Sequence, residues 1–328
     1  MSKDSRKLII EKTKAKKTSK KAEIIEPIKL KTNKQNQFVA FFKPETFLDK
    51  TPEQIEKIMN LVFDKFDEFG VEITGSAHFP GSAINEFSIM DRHYGVINKL
   101  SKSASKILTR VEKENVLKTL GINTEIKILG GHEAHTISGM NETDFDKYWL
   151  ESPSTKIKSG FYVREMKVKN ETVVVVNGFH PNQLLHYTHV EHEVIMMTVA
   201  SNKAWKEVRE DMIGESFPDK AKPRSIRGTL FNNPGEYGFE RIGIDNNVIH
   251  LSAGPTEGLF EMDNFLNNAF GIDIIKEEAL LALRLKNEGL SEKDIRKIMS
   301  SKKVHDELEH KDTDYAVTFI KGLNLSEL

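Results

Sequence analysis

The sequence predicts an α+β protein of the βαββαβ type, in which helices cover one face of an antiparallel sheet. Short apolar runs of strand length recur along the chain, and the segments between them carry apolar residues at helical spacing. The chain has 328 residues, of which 38% are hydrophobic. This is long enough for one core with large additions, or for two domains.

The first strand and the first long helix have the clearest signals. Residues 38–42 form an apolar run that a Lys-Pro pair ends, as expected of a buried strand. Thr51 is a suitable N-cap with Pro52 at the first helical position, and the apolar residues that follow keep helical spacing until Gly70. The sequence therefore predicts a strand followed by a helix.

The other core elements are three strands and their intervening helices. The strands are expected at residues 71–79, 194–200 and 248–251, and the helices at residues 83–100, 203–213 and 256–266. Without the helix at 83–100, the order is strand, helix, strand, strand, helix, strand. This is the order of a ferredoxin-like sandwich, and we expect that domain to span residues 37–270.

Two additions extend this core. An insertion at about residues 101–190 is expected to form a small subdomain, because residues 161–168 and 171–176 flank a Lys-Asn turn signal and predict a β-hairpin. Residues 271–328 are helical in character and are expected to form a C-terminal extension.

The N-terminal segment is rich in lysine. Residues 1–34 carry 12 Lys or Arg residues against 4 Asp or Glu residues, although the whole chain has a net charge of only −1. Such a composition buries too little apolar surface to offset the entropy of ordering, so we expect residues 1–36 to form a disordered arm. Weak contact with nucleic acid through this arm is a further expectation.

Composition also excludes several classes of protein. The absence of cysteine rules out thiol catalysis, thiolate metal sites and disulfides. No run approaches the roughly 18 to 20 apolar residues that span a bilayer, and the arm lacks the apolar centre of a secretory signal. We therefore expect a cytoplasmic protein with no membrane partner.

The strongest chemical signal is His250, at the end of the predicted last strand. Glu261 follows eleven residues later, and the cationic segment 222–228 precedes it. Imidazole can accept a phosphoryl group at neutral pH when a carboxylate orients the ring and cations absorb the phosphate charge. This combination predicts a phosphate-handling site.

Five segments, in this order, resemble the nucleoside diphosphate kinase family. They are Phe41-Phe42-Lys43-Pro44, Arg92-His93-Tyr94, Gly214-Glu215-Ser216 with Pro218, Lys222-Pro223 to Gly228, and Asn247-Val248-Ile249-His250 with Ser252. The resemblance implies that the γ-phosphoryl group of a nucleoside triphosphate passes to His250 and then to a nucleoside diphosphate. Glu261 would orient the imidazole, and Ser252 would lie close to the transferred group.

The resemblance also implies how the substrate is held. Lys43, Arg209 and Arg227 would bind phosphates, Tyr94 and Ser216 would donate hydroxyl groups, and Asn247 would bind the sugar. Mg²⁺ would be bound through the nucleotide phosphates, so no dedicated protein metal site is expected. Family members assemble as dimers, tetramers or hexamers, so a homo-oligomer is implied.

The chain departs from the family pattern at several points, and two departures concern the site arginine and the base. Strict counting places the family arginine at Glu210, and Arg209 would take its role through a one-residue slip. The connection after Tyr94 is about 80 residues longer than the family's, beyond ordinary loop lengths. The resemblance therefore does not imply how this chain would recognise the nucleotide base.

Alternative hypotheses remain open. The chain could be a catalytically weak or inactive module of the same fold that binds nucleotide or a partner. It could also be a scaffold that acts through its lysine-rich arm. The histidines at 132 and 135, and at 186, 189 and 192, have spacing that a metal site could use, but no aspartate or cysteine completes a set, which favours polar surface or substrate contacts.

Overall fold

The computed structural model describes residues 3–14, 20–158, 160–243 and 245–327. Its strands are β1 (Glu23–Glu26), β2 (Asn36–Phe42), β3 (Glu72–Pro80), β4 (Ile128–Gly130), β5 (Thr155–Lys158), β6 (Phe161–Val168), β7 (Glu171–Val176), β8 (Glu193–Ser201) and β9 (Ile249–Leu251). Its α-helices are α1 (Lys3–Lys14), α2 (Pro52–Glu68), α3 (Gly81–Glu86), α4 (Ile89–His93), α5 (Gly95–Ile107), α6 (Arg110–Leu120), α7 (Gly131–Ser138), α8 (Glu142–Leu150), α9 (His180–Thr188), α10 (Trp205–Glu207), α11 (Ile226–Asn232), α12 (Pro255–Phe270), α13 (Leu280–Asn287), α14 (Glu292–Met299), α15 (Lys302–Glu307) and α16 (Thr313–Lys321). In these ranges, no helix has the length and apolar character needed to cross a bilayer.

The chain divides into two compact units. The core unit comprises Met1–Phe87 and Val190–Leu328, and the inserted unit comprises Ser88–His189. The inserted unit therefore begins earlier than the expected insertion at about residues 101–190, because α4 and the start of α5 belong to it.

The sheet of the core unit has the order β1-β3-β8-β2-β9. β2 lies between β8 and β9, and β3 pairs with β8, all antiparallel. Every residue of β2 is buried, as its apolar run predicts. This arrangement of the four predicted strands confirms the α+β, ferredoxin-like fold.

Helix α2 confirms the predicted capping signal. The Thr51 hydroxyl accepts a hydrogen bond from Gln54 N at 3.3 Å, and the Gln54 side chain accepts one from Thr51 N at 2.9 Å. Its apolar face packs into the core beside β2, through buried residues such as Ile58 and Phe63. Local cap chemistry thus fixes where the helix begins.

The N-terminal segment differs from the disordered arm expected over residues 1–36. Residues 3–14 form α1, which buries Ile9 and Ile10 in the core, and Arg6 pairs with Asp64 of α2 at 2.7 Å. β1 then pairs with β3 at the edge of the sheet. The two adjacent isoleucines bury enough apolar surface to hold α1 in place, although the average composition of the N-terminal segment is strongly polar. Residues 1, 2 and 15–19 of this arm lie outside the described residues.

The helix expected at residues 83–100 is broken into α3, α4 and α5. Ser88 has a φ of +51°, a left-handed conformation that ends one helix before the next begins. Likewise, the last strand begins at Ile249 because Val248 leaves extended geometry with a φ of +70°. Both breaks depend on single residues that ordinary periodicity does not reveal.

The inserted unit has its own sheet, of order β4-β7-β6-β5, in which β4 and β7 are parallel. The predicted hairpin is present as β6 and β7, and Lys169 in its turn has a φ of +54°. Alternate valines of β7 face two separate cores, one containing Leu100 of α5 and the other Trp149 of α8. Helices therefore cover both faces of this sheet.

The C-terminal extension is helical, as expected, and consists of α13 to α16. Ser291 caps α14 and forms a capping box with Asp294. Arg296 of α14 makes ion pairs with Asp263 of α12, at 3.6 Å, and with Asp273, at 3.1 Å. The extension thus packs against the helix that follows β9.

Candidate functional site

The candidate site is built on a strained turn before β9. Val248, a buried β-branched residue, has a φ of +70°, and Ile249 N donates to Asn247 O at 2.8 Å. These are features of a classic γ-turn, and such strain costs of order 1–3 kcal/mol. Glu45 holds the turn, because its Oε1 accepts hydrogen bonds from the N–H groups of Asn247 and Val248 at 3.0 Å each.

His250 lies on β9 directly opposite Phe41 of β2. The two rings stack with centroids 4.4 Å apart and planes 16° apart. His250 Nε2 is 2.7 Å from Glu261 Oε1, and Glu261 is fully buried, whereas 17% of the His250 side chain is exposed. A carboxylate accepts the Nε2 proton, which favours the tautomer with an unprotonated Nδ1.

The environment keeps this imidazole neutral. Burial lowers the pKa of His250 well below its usual value, and the positive charges of Arg209, Lys43 and Arg227 lower the pKa further. A neutral ring retains the lone pair that a nucleophile needs, so the surroundings suit His250 for attack on an electron-poor atom.

Ser252 supports Glu261. Its hydroxyl is 2.6 Å from Glu261 Oε2 and accepts a hydrogen bond from Val39 N at 2.9 Å, and the residue is fully buried. The resemblance implies a position close to the transferred group. In the structure this hydroxyl is directed at the carboxylate that holds His250.

Lys43 and Arg227 bring positive charge to the same place. Lys43, at the end of β2, donates to Asn247 Oδ1 at 2.6 Å, and burial lowers its pKa to about 8. Arg227, on α11, is 4% exposed and donates to Gly214 O and Ile249 O at 3.0 Å each. Asn247, expected to bind a sugar, is thus a partner of Lys43.

Arg209 reaches the site through an unusual helix. After α10, residues Val208–Ile213 form a π turn, in which Gly214 N donates to Arg209 O at 3.0 Å, five residues back. A π turn holds one residue more than an α turn, and here Arg209 reaches β9 from this turn. Arg209 Nη1 donates to Leu251 O, and among the described residues its buried Nε has no hydrogen-bond partner.

The other two predicted residues are Ser216 and Tyr94. Ser216 is exposed on the loop between the π turn and α11. Tyr94 belongs to the inserted unit, where its hydroxyl is 3.5 Å from that of Tyr187 and its ring lies 6.1 Å from that of His180. Seven of the predicted residues come together around β9 within the core unit.

The histidines of the inserted unit are not all at the surface. His132 is partly buried, with Nδ1 3.0 Å from Ser101 Oγ, and His180 is fully buried. Burial lowers the pKa of both, that of His132 to about 4, and each lies close to the other, with rings 5.4 Å apart. These two residues are internal neutral groups.

Three residues at the site have contacts that the sequence did not reveal. Phe41 stacks on the nucleophile candidate, and Glu45 fixes the strained turn. Glu257, on α12, accepts a hydrogen bond from Ala253 N, and burial next to Glu261 raises its pKa to about 8. Glu45 had a signal, since it directly follows the Lys-Pro pair that ends the predicted first strand. The contacts of Phe41 and Glu257 had none.

Comparisons with known proteins add little to this site. No family model matches the chain, and no curated protein matches it in sequence. Among solved structures, it is similar to an NDP kinase from Pyrobaculum aerophilum, with a TM-score of 0.35 and 14% identity. The match covers 70% of this chain and 95% of that chain. So distant a likeness supports no functional conclusion.

Proposed function

We propose that this protein is a phosphotransferase of the nucleoside diphosphate kinase type, which works through a phosphohistidine on His250. One observation carries the proposal: a neutral imidazole, held through Nε2 by the buried Glu261, lies among Lys43, Arg209 and Arg227. Nucleophile, orienting carboxylate and cations are the parts that phosphoryl transfer through histidine requires.

In the proposed first step, the Nδ1 lone pair of His250 attacks the γ-phosphorus of a nucleoside triphosphate. An N–P bond forms as the bond from the γ-phosphorus to the bridging oxygen breaks, and the nucleoside diphosphate leaves with the electron pair. The Nε2 proton stays hydrogen-bonded to Glu261, which stabilises the positive charge that develops on the ring. A second nucleoside diphosphate then takes the group by the reverse step.

The cations serve positioning and charge stabilisation. Lys43 and Arg227 donate to protein oxygens in the structure, so incoming phosphate oxygens would compete for these donors. The buried Nε of Arg209 supplies a further donor. Mg²⁺ would enter as part of the substrate, because Glu45 and Glu261 already accept hydrogen bonds and the site is otherwise cationic.

The test is transfer of labelled phosphate to the protein. Incubation with γ-labelled ATP and Mg²⁺ should give an acid-labile, base-stable phosphoenzyme that His250→Gln abolishes. His78→Gln is a matched control, because His78 Nε2 lies 2.7 Å from Glu193 Oε2 in a histidine–glutamate pair of the same length. Label that persists in His250→Gln, or no label on the wild type, would contradict the proposal.

Nucleotide binding without labelling would favour the alternative function, a non-catalytic module of the same fold. Calorimetry with the common nucleoside triphosphates, run beside the labelling experiment, separates the two. Transfer of label from the phosphoenzyme to added nucleoside diphosphates then defines the second half of the reaction.

A further inference from the structure

The backbone that follows His250 is held by a donor on each of three successive carbonyl groups. Arg209 Nη1 donates to Leu251 O, Trp205 Nε1 to Ser252 O at 3.0 Å, and His310 N to Ala253 O at 2.8 Å. Two of these donors come from the helix that begins at Trp205, and the third comes from the C-terminal extension. The extension therefore touches the segment that carries the nucleophile candidate.

We call residues 308–313, the segment between α15 and α16 together with the first residue of α16, the C-terminal clasp. At one end, Leu308 O lies so close to Gly254 that a Cβ on this glycine would be 2.4 Å away. Glycine is therefore required there, since real Cβ atoms do not approach a carbonyl oxygen so closely. The clasp and the segment after His250 are thus in direct backbone contact.

At its other end, the clasp caps the helix that carries Arg209. The N-cap of that helix, Ala204, has no side chain that could accept from the first N–H groups. Asp312 Oδ1 replaces it, accepting from Trp205 N at 2.6 Å. A carboxylate in this position also interacts favourably with the helix dipole.

Asp312 and the residue after it also form hydrogen bonds with β2. Asn36, the first residue of β2, donates through Nδ2 to Asp312 Oδ1 at 2.9 Å, and its Oδ1 accepts from Thr313 N at 2.9 Å. Asp312 thus caps the helix of Arg209, while Asn36 caps α16. Both ends of the clasp are tied to elements that form the candidate site.

We propose that the C-terminal clasp positions the phosphotransfer site, with Asp312 as the positioning residue that holds the Arg209 helix against the segment after His250. This inference rests on the proposed function. When the cap is lost, the first turn of the helix frays, and Trp205 and Arg209 release the carbonyl groups of residues 251 and 252. A displacement of about 1 Å at a phosphoryl-transfer site can lower the rate by about 100-fold.

The test compares Asp312→Ala with Asp312→Asn. Asparagine keeps the Oδ1 acceptor for Trp205 N and Asn36 Nδ2, whereas alanine removes it. We expect Asp312→Ala to slow labelling of His250 by about 10-fold or more, and Asp312→Asn to restore most of the rate. Asp314→Ala is the matched control, because Asp314 is exposed in the first turn of α16 and pairs with Arg284.

A second readout does not need activity. Hydrogen exchange of peptides from residues 205–213 and 250–254 should quicken in Asp312→Ala, with exchange in α2 unchanged and the circular dichroism spectrum intact. If the wild type takes no label, the phosphotransfer proposal fails, and exchange still tests the clasp. Unchanged exchange at both segments in Asp312→Ala, or an Asp312→Asn variant as impaired as Asp312→Ala, would overturn the clasp proposal.

Discussion

At the residue scale, the pKa shifts of two groups set the expected pH dependence. Phosphorylation needs a neutral His250, whose pKa lies well below its usual value, and a charged Lys43, whose pKa is lowered to about 8. The kcat/KM for ATP should therefore persist below pH 6.5 and fall as pH rises through about 8, since Lys43 then loses its proton. The initial rate of labelling by γ-labelled ATP at low ATP concentration, measured from pH 5 to 9.5, gives this pH dependence.

Lys43→Arg provides the control, because arginine keeps its charge throughout this range. The alkaline fall should move upward or disappear in that variant. An alkaline limb that is unchanged in Lys43→Arg would mean that another group titrates there.

Glu261 gives a second prediction at the same scale. Glu261→Gln keeps the shape of the side chain but removes the negative charge that stabilises the ring during transfer, so labelling should slow by about 10-fold or more. Ser252→Ala should act through the same carboxylate. A double-mutant cycle on the labelling rate should give strong non-additivity, and additive effects would show that Ser252 works independently of Glu261.

At the scale of elements, the π turn gives a prediction about Arg209. Arg209→Gln should slow labelling by about 100-fold, a loss typical of removing one donor from a transition state. Deletion of Glu210 should convert the π turn into an α turn, with Gly214 N still bonded to Arg209 O, and should keep most of the rate. A deletion variant as slow as Arg209→Gln would show that the longer turn is itself required.

Elements with local signals could be predicted from the sequence. β2 and α2 follow from an apolar run and from the cap at Thr51, which involve neighbours in the chain. The arm could not be predicted, because averaged composition conceals the buried pair of Ile9 and Ile10. The break at Ser88 could not be predicted either, since a single left-handed residue does not change the spacing of apolar residues.

The residues of the candidate site also differ in whether local sequence predicts them. His250 and Lys43 could be found because each lies in a short motif next to an apolar run that predicts a strand. The groups that hold the turn before β9 and the C-terminal clasp could not, since Glu45 reaches Asn247 across 202 residues and Asn36 reaches Asp312 across 276. Contacts over such separations depend on the folded topology, which the sequence alone gives only in outline.

At the scale of the whole molecule, the two units should be separable. β3 and β8 pair as far as Pro80 and Glu193, and Gly81 N donates to His192 O at 2.7 Å. The two chain segments that lead to the inserted unit are therefore already hydrogen-bonded to each other within the core unit. Replacing Ser88–His189 with a short glycine-serine linker should leave a folded protein with one cooperative unfolding transition, measured by circular dichroism. An aggregated or unfolded product would contradict this.

The same variant tests Tyr94, which the replacement removes. Tyr94→Phe in the full chain is the matched comparison, because it removes only the hydroxyl group. If this hydroxyl binds phosphate, both variants should label more slowly than the wild type. Equal labelling by all three proteins would remove Tyr94 from the mechanism.

The central place of β2 has a consequence for how the protein is made. Its neighbours β8 and β9 leave the ribosome more than 150 residues later, since Phe42 pairs with Ile195 and with Ile249. At synthesis rates of about 5 to 20 residues per second, β2 is unpaired for roughly 8 to 30 s before β8 is synthesised. Nascent chains stalled before β8 should therefore engage chaperones through residues 36–42.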